Sequence, residues 1–240
     1  MTTGIREYRG LSRTPFYSLV FIVPLVVLYE ILAVMINWES ELQLRNGADV
    51  LLRQLLMIFG LGTPYALGIL FAAGIAGAWV RQRYRFGTTQ VNVVYLAGML
   101  VESLLWAGFM LLFLAAADQL LIVTTTDTVL RTAFLAVGAG IYEEAVFRLL
   151  LVTGLAVFFL RVLHWHRQFA WGIAIGLSAA LFSLFHYVGP AGEVFAWNSF
   201  VYRSVAGIIL GLLFYFRGFG ITVYAHTTYD LLVLGIQTVG

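Results

Sequence analysis

The sequence IYEEAVFR, at residues 141–148, places three charged side chains inside an apolar run that extends from Val129 to Val162. A charge at the centre of a bilayer costs about 2.5 to 3.5 kcal/mol on insertion scales, so ionisable residues in such a run indicate a functional site. On a helix, Glu144 and Arg148 are four residues apart and face each other, whereas Glu143 is turned by about 100° onto the neighbouring stripe. The pattern therefore predicts one neutralised glutamate and one free glutamate that can act as a general base.

The composition of the chain decides its class. Hydrophobic residues make up 61% of the 240 residues and charged residues 11%, and the mean hydropathy is +0.92. These values exclude a soluble domain and predict an all-α, polytopic membrane helix bundle. The net charge of +2 comes from arginines at the ends of apolar segments, without an aromatic-interleaved basic stripe, which argues against nucleic-acid binding. The absence of cysteine excludes disulfides, thiolate catalysis and Cys-ligated zinc.

Seven apolar segments are each long enough to cross a bilayer, which takes about 20 residues. These segments cover residues 15–37, 64–80, 91–117, 129–163, 169–187, 199–216 and 220–239. They predict a single integral membrane domain over residues 1–240, with its motif-bearing core at about 129–238. Arginine-rich ends alternate with acidic ends, which predicts a cytoplasmic N-terminus and a C-terminus on the outer side.

Two segments depart from this simple pattern. The segment 129–163 is too long for one perpendicular helix, so we expect it to tilt, to break near residues 138–140 or to protrude. A shorter stretch at residues 51–59 is apolar on one side and polar on the other, which predicts an interfacial helix. Within the span 91–117, Glu102 is predicted to serve packing, through an arginine or another helix, and the alternative is that it lines the cavity.

Two further polar groups lie on the C-terminal side of the glutamate pair. His186 ends the run FSLFH at residues 182–186, and His226 with Asp230 forms an i, i+4 pair on one face of the last segment. Counted along their helices, Glu143 and Asp230 lie near the bilayer midplane and His186 lies nearer the outer face. A helix bundle can therefore bring these side chains to one polar cavity.

Three motifs now stand in order along the chain, within roughly residues 135–235. They are Glu-Glu-x-x-x-Arg at Glu143, Glu144 and Arg148, Phe-x-x-x-His at Phe182 and His186, and His-x-x-x-Asp at His226 and Asp230. In type and order they resemble the motifs of the CAAX protease and bacteriocin-processing (CPBP) family of intramembrane proteases. The resemblance implies hydrolysis of peptide bonds within the membrane. It also implies eight helices as the alternative to the seven counted above.

The same resemblance implies a role for each motif residue. Glu143 is expected to be the base that activates water together with His186, while His226, oriented by Asp230, stabilises the oxyanion. The other motif residues are expected to support the site, and they are Glu144, Arg148 and Phe182. No cofactor is expected, and the alternative is a zinc ion held by Glu143, His186 and His226. A His-Glu-x-x-His motif, which would favour zinc, does not occur in the sequence.

The expected substrate is a membrane-anchored or lipidated peptide or protein, in a bacterial inner (cell) membrane. Two other classes of function stay open. A proton-coupled transporter also uses buried Glu, His and Asp, although such proteins usually carry paired half-repeats with broken helices, and the sequence has no such repeat. A non-catalytic scaffold that binds a partner helix would keep the fold and would tolerate Glu143→Gln.

Overall fold

The computed structural model describes residues 2–38, 43–116, 129–189 and 192–239, which form helices and loops with no β-strand among them. The α-helices are α1 (Thr2–Ser12), α2 (Pro15–Asn37), α3 (Gly47–Ile58), α4 (Ala66–Phe86), α5 (Val93–Ala116), α6 (Val129–Gly138), α7 (Thr153–Arg161), α8 (Arg167–Phe185), α9 (Trp197–Arg217) and α10 (Phe219–Val239). Two π-helical segments, π1 (Ala139–Glu143) and π2 (Ala145–Val152), lie between α6 and α7. The predicted all-α class is confirmed.

Among the described residues, four helices are long and apolar enough to cross a membrane: α2, α5, α8 and α9. The chain is therefore an integral membrane protein. The other predicted spans also fall on helices, namely α4, the region from α6 to α7, and α10. The count of seven, and its alternative of eight, stays a prediction, because these three regions carry charges or are interrupted by the π-helical segments.

Two helices begin where their sequences provide a cap. In α2, the Thr14 side chain accepts a hydrogen bond from the Tyr17 amide at 3.3 Å, and a proline occupies the first helical position. In α3, the Asn46 side-chain oxygen accepts from the Ala48 amide at 2.8 Å. The helix predicted at residues 51–59 thus begins four residues earlier, at Gly47, and its interfacial position stays a prediction.

The long motif segment changes its helix type instead of breaking. At Gly138 and at Glu144 the backbone keeps right-handed helical angles, with φ of −61° and −65°. The hydrogen-bond pattern becomes π-helical from Ala139, within residues 138–140, where a break was one of the three expected alternatives. π-Helical turns are rare and occur frequently at functional sites.

Helix α10 lies at the centre of the bundle, packed against α2, α5, α6, α9 and π1. Its residues Ile221, Val223 and Ala225 are fully buried. Helix α8 packs against α9 and π2. This packing brings the three motif-bearing regions, around π1, the end of α8 and the middle of α10, next to one another.

A close approach of two backbones at Gly140 holds π1 against α10. A Cβ atom at this position would lie 2.9 Å from the Thr227 nitrogen and 2.9 Å from the Val223 oxygen. We expect Gly140→Ala to lower the free energy of unfolding by about 1 to 3 kcal/mol, because α10 must move. The measurement is thermal unfolding of the purified protein in detergent. Gly154→Ala is the control, since a Cβ there meets no atom within 4 Å, and equal losses in both variants would contradict the expectation.

Candidate active site

A cavity of about 370 Å³ carries side chains from all three motifs. The motif residues that line it are Glu143, Phe182, His186, His226 and Asp230. The residues predicted for catalysis thus surround one cavity. His186 is among them, although its position along its helix predicted a depth nearer the outer face than that of Glu143 and Asp230. Glu144 and Arg148 do not line the cavity and are 0% and 1% exposed behind its wall.

Glu143 reaches the cavity from the end of π1 and is held by a residue that the sequence did not indicate. Its Oε1 accepts a hydrogen bond from the Asn46 side-chain amide at 3.3 Å. The carboxylate is 7% exposed, so it is largely removed from solvent while remaining at the cavity wall. One oxygen is thereby fixed by the protein, and the other is available to a molecule in the cavity.

A buried polar network fixes Asn46 in this position. Its backbone amide donates to the Tyr29 hydroxyl at 3.2 Å, and that hydroxyl donates to Asp49 at 3.0 Å. Asp49 is fully buried and forms ion pairs with Arg45 at 3.0 Å and Arg53 at 2.7 Å. Because this network ties Asn46, in the connection between α2 and α3, to Tyr29 of α2 and through it to Asp49 of α3, that connection acts as a rigid support for Glu143.

Glu144 forms the predicted ion pair and one further contact. Its Oε1 lies 2.8 Å from an Arg148 guanidinium nitrogen, as expected for residues four apart. The same oxygen lies 2.7 Å from Nδ1 of His226, which is 82 residues away in the sequence. Glu144 is therefore neutralised by Arg148 and also fixes the orientation of the His226 ring.

Phe182 connects the buried arginine to both histidines. The Arg148 guanidinium lies over the Phe182 ring, 4.5 Å from its centroid, at a distance typical of a cation–π contact. The ring also meets His186 and His226 at centroid distances of 5.1 and 6.1 Å, in edge-to-face arrangements. A second arginine nitrogen donates to the Gly207 carbonyl at 3.4 Å. Phe182, which was predicted to support the site, thus packs against both imidazole rings and against the Arg148 guanidinium.

His186 is the residue that follows the last turn of α8. Its Nδ1 lies 2.9 Å from the Phe182 carbonyl oxygen. A carbonyl oxygen only accepts hydrogen bonds, so we assign the proton of the neutral ring to Nδ1. This tautomer leaves Nε2 free to accept a proton.

Both nitrogens of His226 face carboxylates. Nδ1 contacts Glu144 at 2.7 Å, whereas Nε2 lies 3.5 Å from Oδ2 of Asp230, one turn further along α10. The longer separation exceeds the normal length of a hydrogen bond. Glu144 therefore contributes more than Asp230 to the orientation of the His226 ring. The sequence had predicted Asp230 alone in this role.

The cavity has further lining residues that no motif indicated. Arg203 and Glu193 form an ion pair at 2.6 Å, and the hydroxyls of Tyr202 and Tyr229 are hydrogen-bonded to each other. The remaining wall is largely apolar and includes Met110, Leu135, Ala136, Ala139, Ala206, Leu210, Val233 and Leu234. The cavity can therefore accept a molecule that has both a polar backbone and an apolar part.

Two further predictions concerned a zinc site, as the alternative to a site without a cofactor, and the role of Glu102. In the part of the chain that the structure describes, no group of three or more His, Asp and Glu side chains is arranged to hold a metal ion. Glu102 lies outside the cavity lining, where it pairs with Arg217 at 2.8 Å and accepts from the Tyr8 hydroxyl at 2.9 Å. The prediction that Glu102 serves packing through an arginine is confirmed.

Comparison with known proteins identifies one family. Residues 125–232 match the family model described as type II CAAX prenyl endopeptidase Rce1-like. The matched region contains all three motifs, so the resemblance to the CAAX protease family is confirmed. No curated protein and no solved structure matches the chain.

Proposed function

We propose that this chain, whose residues 125–232 match the family model described as type II CAAX prenyl endopeptidase Rce1-like, is an intramembrane endopeptidase. Its substrates are membrane-anchored or lipidated peptides or proteins, and its location is the bacterial inner membrane. The observation that carries the proposal is the shared cavity of Glu143, His186, His226 and Asp230. In that cavity a free carboxylate faces two imidazoles, while the neighbouring carboxylate is buried in an ion pair.

The first step is the activation of water by Glu143 and His186. The Glu143 oxygen that is not bound to Asn46 accepts the proton of a water molecule in the cavity, and Nε2 of His186 accepts a hydrogen bond from the same water. The oxygen of that water attacks the carbonyl carbon of the scissile peptide bond. The C=O double bond becomes a single bond to an anionic oxygen, and Glu143 now carries the proton.

The second step depends on His226. An N–H donor aimed at the developing oxyanion is worth roughly 2.7 to 4 kcal/mol in comparable acyl transfers. Nδ1 of His226 is held by Glu144, so Nε2 is the nitrogen available to the substrate when it carries a proton. Asp230, near that nitrogen, favours the protonated donor. The C–N bond then breaks, and Glu143 returns its proton to the leaving amine.

Two rival functions make different demands on the same side chains. A transporter needs paired broken helices, and in the described ranges the π-helical interruption occurs in one region only. A scaffold needs the fold but not the free carboxylate, so it retains its function in Glu143→Gln. Loss of cleavage in that variant therefore separates the protease from the scaffold.

Asn46 is a positioning residue in this proposal, and Asn46→Asp tests its role. Aspartate keeps an oxygen that can cap α3, but it removes the donor to Glu143 and places a like charge beside it. We expect kcat to fall roughly 10-fold, because the base loses its fixed position. The thermal unfolding midpoint should also fall, because two buried carboxylates then lie side by side, so kcat is measured at a temperature at which the variant is folded. An unchanged kcat would contradict the positioning role.

We also propose that the site works without a metal ion. Zinc would require contacts of about 2.0 to 2.2 Å to Glu143, His186 and His226, whereas a hydrogen-bonded water lies at about 2.7 to 3.0 Å. Asp230 lies 3.5 Å from Nε2 of His226 and favours a proton on that nitrogen, and a protonated Nε2 can donate to an oxyanion but cannot bind a cation. We expect no stoichiometric metal in protein purified without chelator, measured by elemental analysis. One zinc per chain together with chelator-sensitive cleavage would show the proposal to be wrong.

A further inference from the structure

A second cavity, of about 560 Å³, lies where α1, α2 and α4 meet, away from the candidate active site. Four arginines line it, namely Arg9, Arg13, Arg81 and Arg85. The side chain of Gln82, which is only 3% exposed, lines it as well. We call this space the arginine cavity.

The positive charge of the arginine cavity is only partly offset by described residues, since Arg9 is attracted to Glu102 without forming an ion pair with it. No ion pair between described residues includes any of its four arginines. The carboxylates of this region have other partners, since Glu7 contacts Tyr95 and Glu102 is bound to Arg217. Four like charges around one space repel one another unless an anion lies between them.

The arginine side chains, and not the backbone, supply the attraction for an anion. The lining includes Thr14 and Pro15 at the N-terminus of α2, but it also includes the last turns of α1 and α4, where the helix dipole places partial negative charge. One nitrogen of Arg13 donates to the Tyr215 carbonyl at 3.0 Å, which ties the cavity to the end of α9 and leaves its other donors free. Guanidinium groups bind phosphate oxygens through paired hydrogen bonds, so phosphate is the anion that this donor set fits best.

The surface next to the cavity is apolar and open to lipid. On α4, Ile69 and Leu70 are 63% and 46% exposed, and Trp79 and Val80 are exposed as well. Leu70 precedes Arg81 by about three turns, so these two side chains lie on the same side of α4. An acyl chain can follow this face of α4 while its headgroup reaches the arginine cavity, which a free phosphate ion does not require.

We propose that the arginine cavity is a binding site for the phosphate of an anionic phospholipid, whose acyl chains lie along the exposed face of α4. The arginines lie at the ends of α1 and α4 that the sequence pattern places on the cytoplasmic side, where basic pockets between helices bind anionic headgroups. The bound lipid joins α1, α2 and α4 at that end of the bundle. This site is independent of the proposed peptidase activity.

The test compares lipid binding by the full chain and two double variants in neutral detergent. Native mass spectrometry counts the lipids retained from equal additions of phosphatidylglycerol and phosphatidylcholine. Arg81→Gln/Arg85→Gln removes two charges from the cavity. Arg83→Gln/Arg161→Gln is the control, because it removes two exposed arginines that do not line the cavity. A third arm adds inorganic phosphate as a competitor, and thermal unfolding without lipid verifies that each variant is folded.

We expect the wild type and the control variant to retain phosphatidylglycerol in preference to phosphatidylcholine. The apparent affinity for phosphatidylglycerol should fall roughly 10-fold or more in Arg81→Gln/Arg85→Gln, because each arginine attracts anionic lipid. Millimolar inorganic phosphate should not displace the lipid. Equal retention in the two double variants would overturn the proposal. Displacement by phosphate with no preference between the two lipids would assign the cavity to a free anion and would overturn the lipid assignment.

Discussion

Purified Glu143→Gln is expected to hydrolyse any true substrate at least 100-fold more slowly than the wild type. Glutamine has nearly the same shape, and its side-chain oxygen can still accept the hydrogen bond from Asn46. What the substitution removes is the group that accepts the proton of water, and general-base catalysis typically contributes about 10²- to 10⁴-fold. The measurement is kcat/KM with the same substrate for both proteins.

Glu193→Gln provides the matched control for this experiment. Glu193 also lines the cavity, but it is partly exposed and paired with Arg203. Its substitution should change kcat/KM by less than about 3-fold, since the Glu193 side chain is 46% exposed and pairs with Arg203, which belongs to none of the three motifs. Retained cleavage in Glu143→Gln, or an equal loss in both variants, would refute the assignment of Glu143 as the base.

Arg148→Ala is expected to lower the free energy of unfolding by about 3 to 5 kcal/mol, because it leaves Glu144 buried without its cationic partner. The variant also loses the contact with the Phe182 ring and the bond to the Gly207 carbonyl. Unfolding in detergent, followed by heat or by denaturant, measures the loss. Glu143→Gln should be much less affected, because it creates no unpaired buried charge.

Arg161→Ala controls for the removal of an arginine from the same region of the chain. Arg161 is exposed in the last turn of α7, and exposed substitutions usually stay within about 0.5 kcal/mol of the wild type. If Arg148→Ala and Glu143→Gln unfold at the same temperature, the ion pair does not stabilise the fold in the way described here.

The parts of the fold and site that follow local rules could be predicted from the sequence. The span predicted at residues 15–37 coincides with α2, because a proline, a capping threonine and a continuous apolar run determine it. The pairing of Glu144 with Arg148 followed from their spacing and from the cost of a lone charge in an apolar run. The order of three motifs was enough to place four polar side chains around one cavity.

Contacts between residues that are far apart in the sequence could not be predicted from local sequence patterns. Asn46 lies 97 residues before Glu143 in the sequence, in a loop with no periodicity, and its capping role gives no hint of the contact. The bond between Glu144 and His226 depends on how π1 packs against α10, and periodicity does not report helix packing. The long motif segment was expected to tilt, to break near residues 138–140 or to protrude, and the π-helix at Ala139 was not predicted, because α- and π-helical turns have similar right-handed backbone angles and no distinct sequence pattern.

The proposal that this chain is an endopeptidase can be tested before any substrate is known. Membrane and secreted peptides are compared by mass spectrometry in cells that carry the wild type, Glu143→Gln or Glu193→Gln at equal abundance. We predict product peptides with new termini in cells with the wild type or Glu193→Gln, and intact precursors in cells with Glu143→Gln. Identical peptide populations in all three would contradict it.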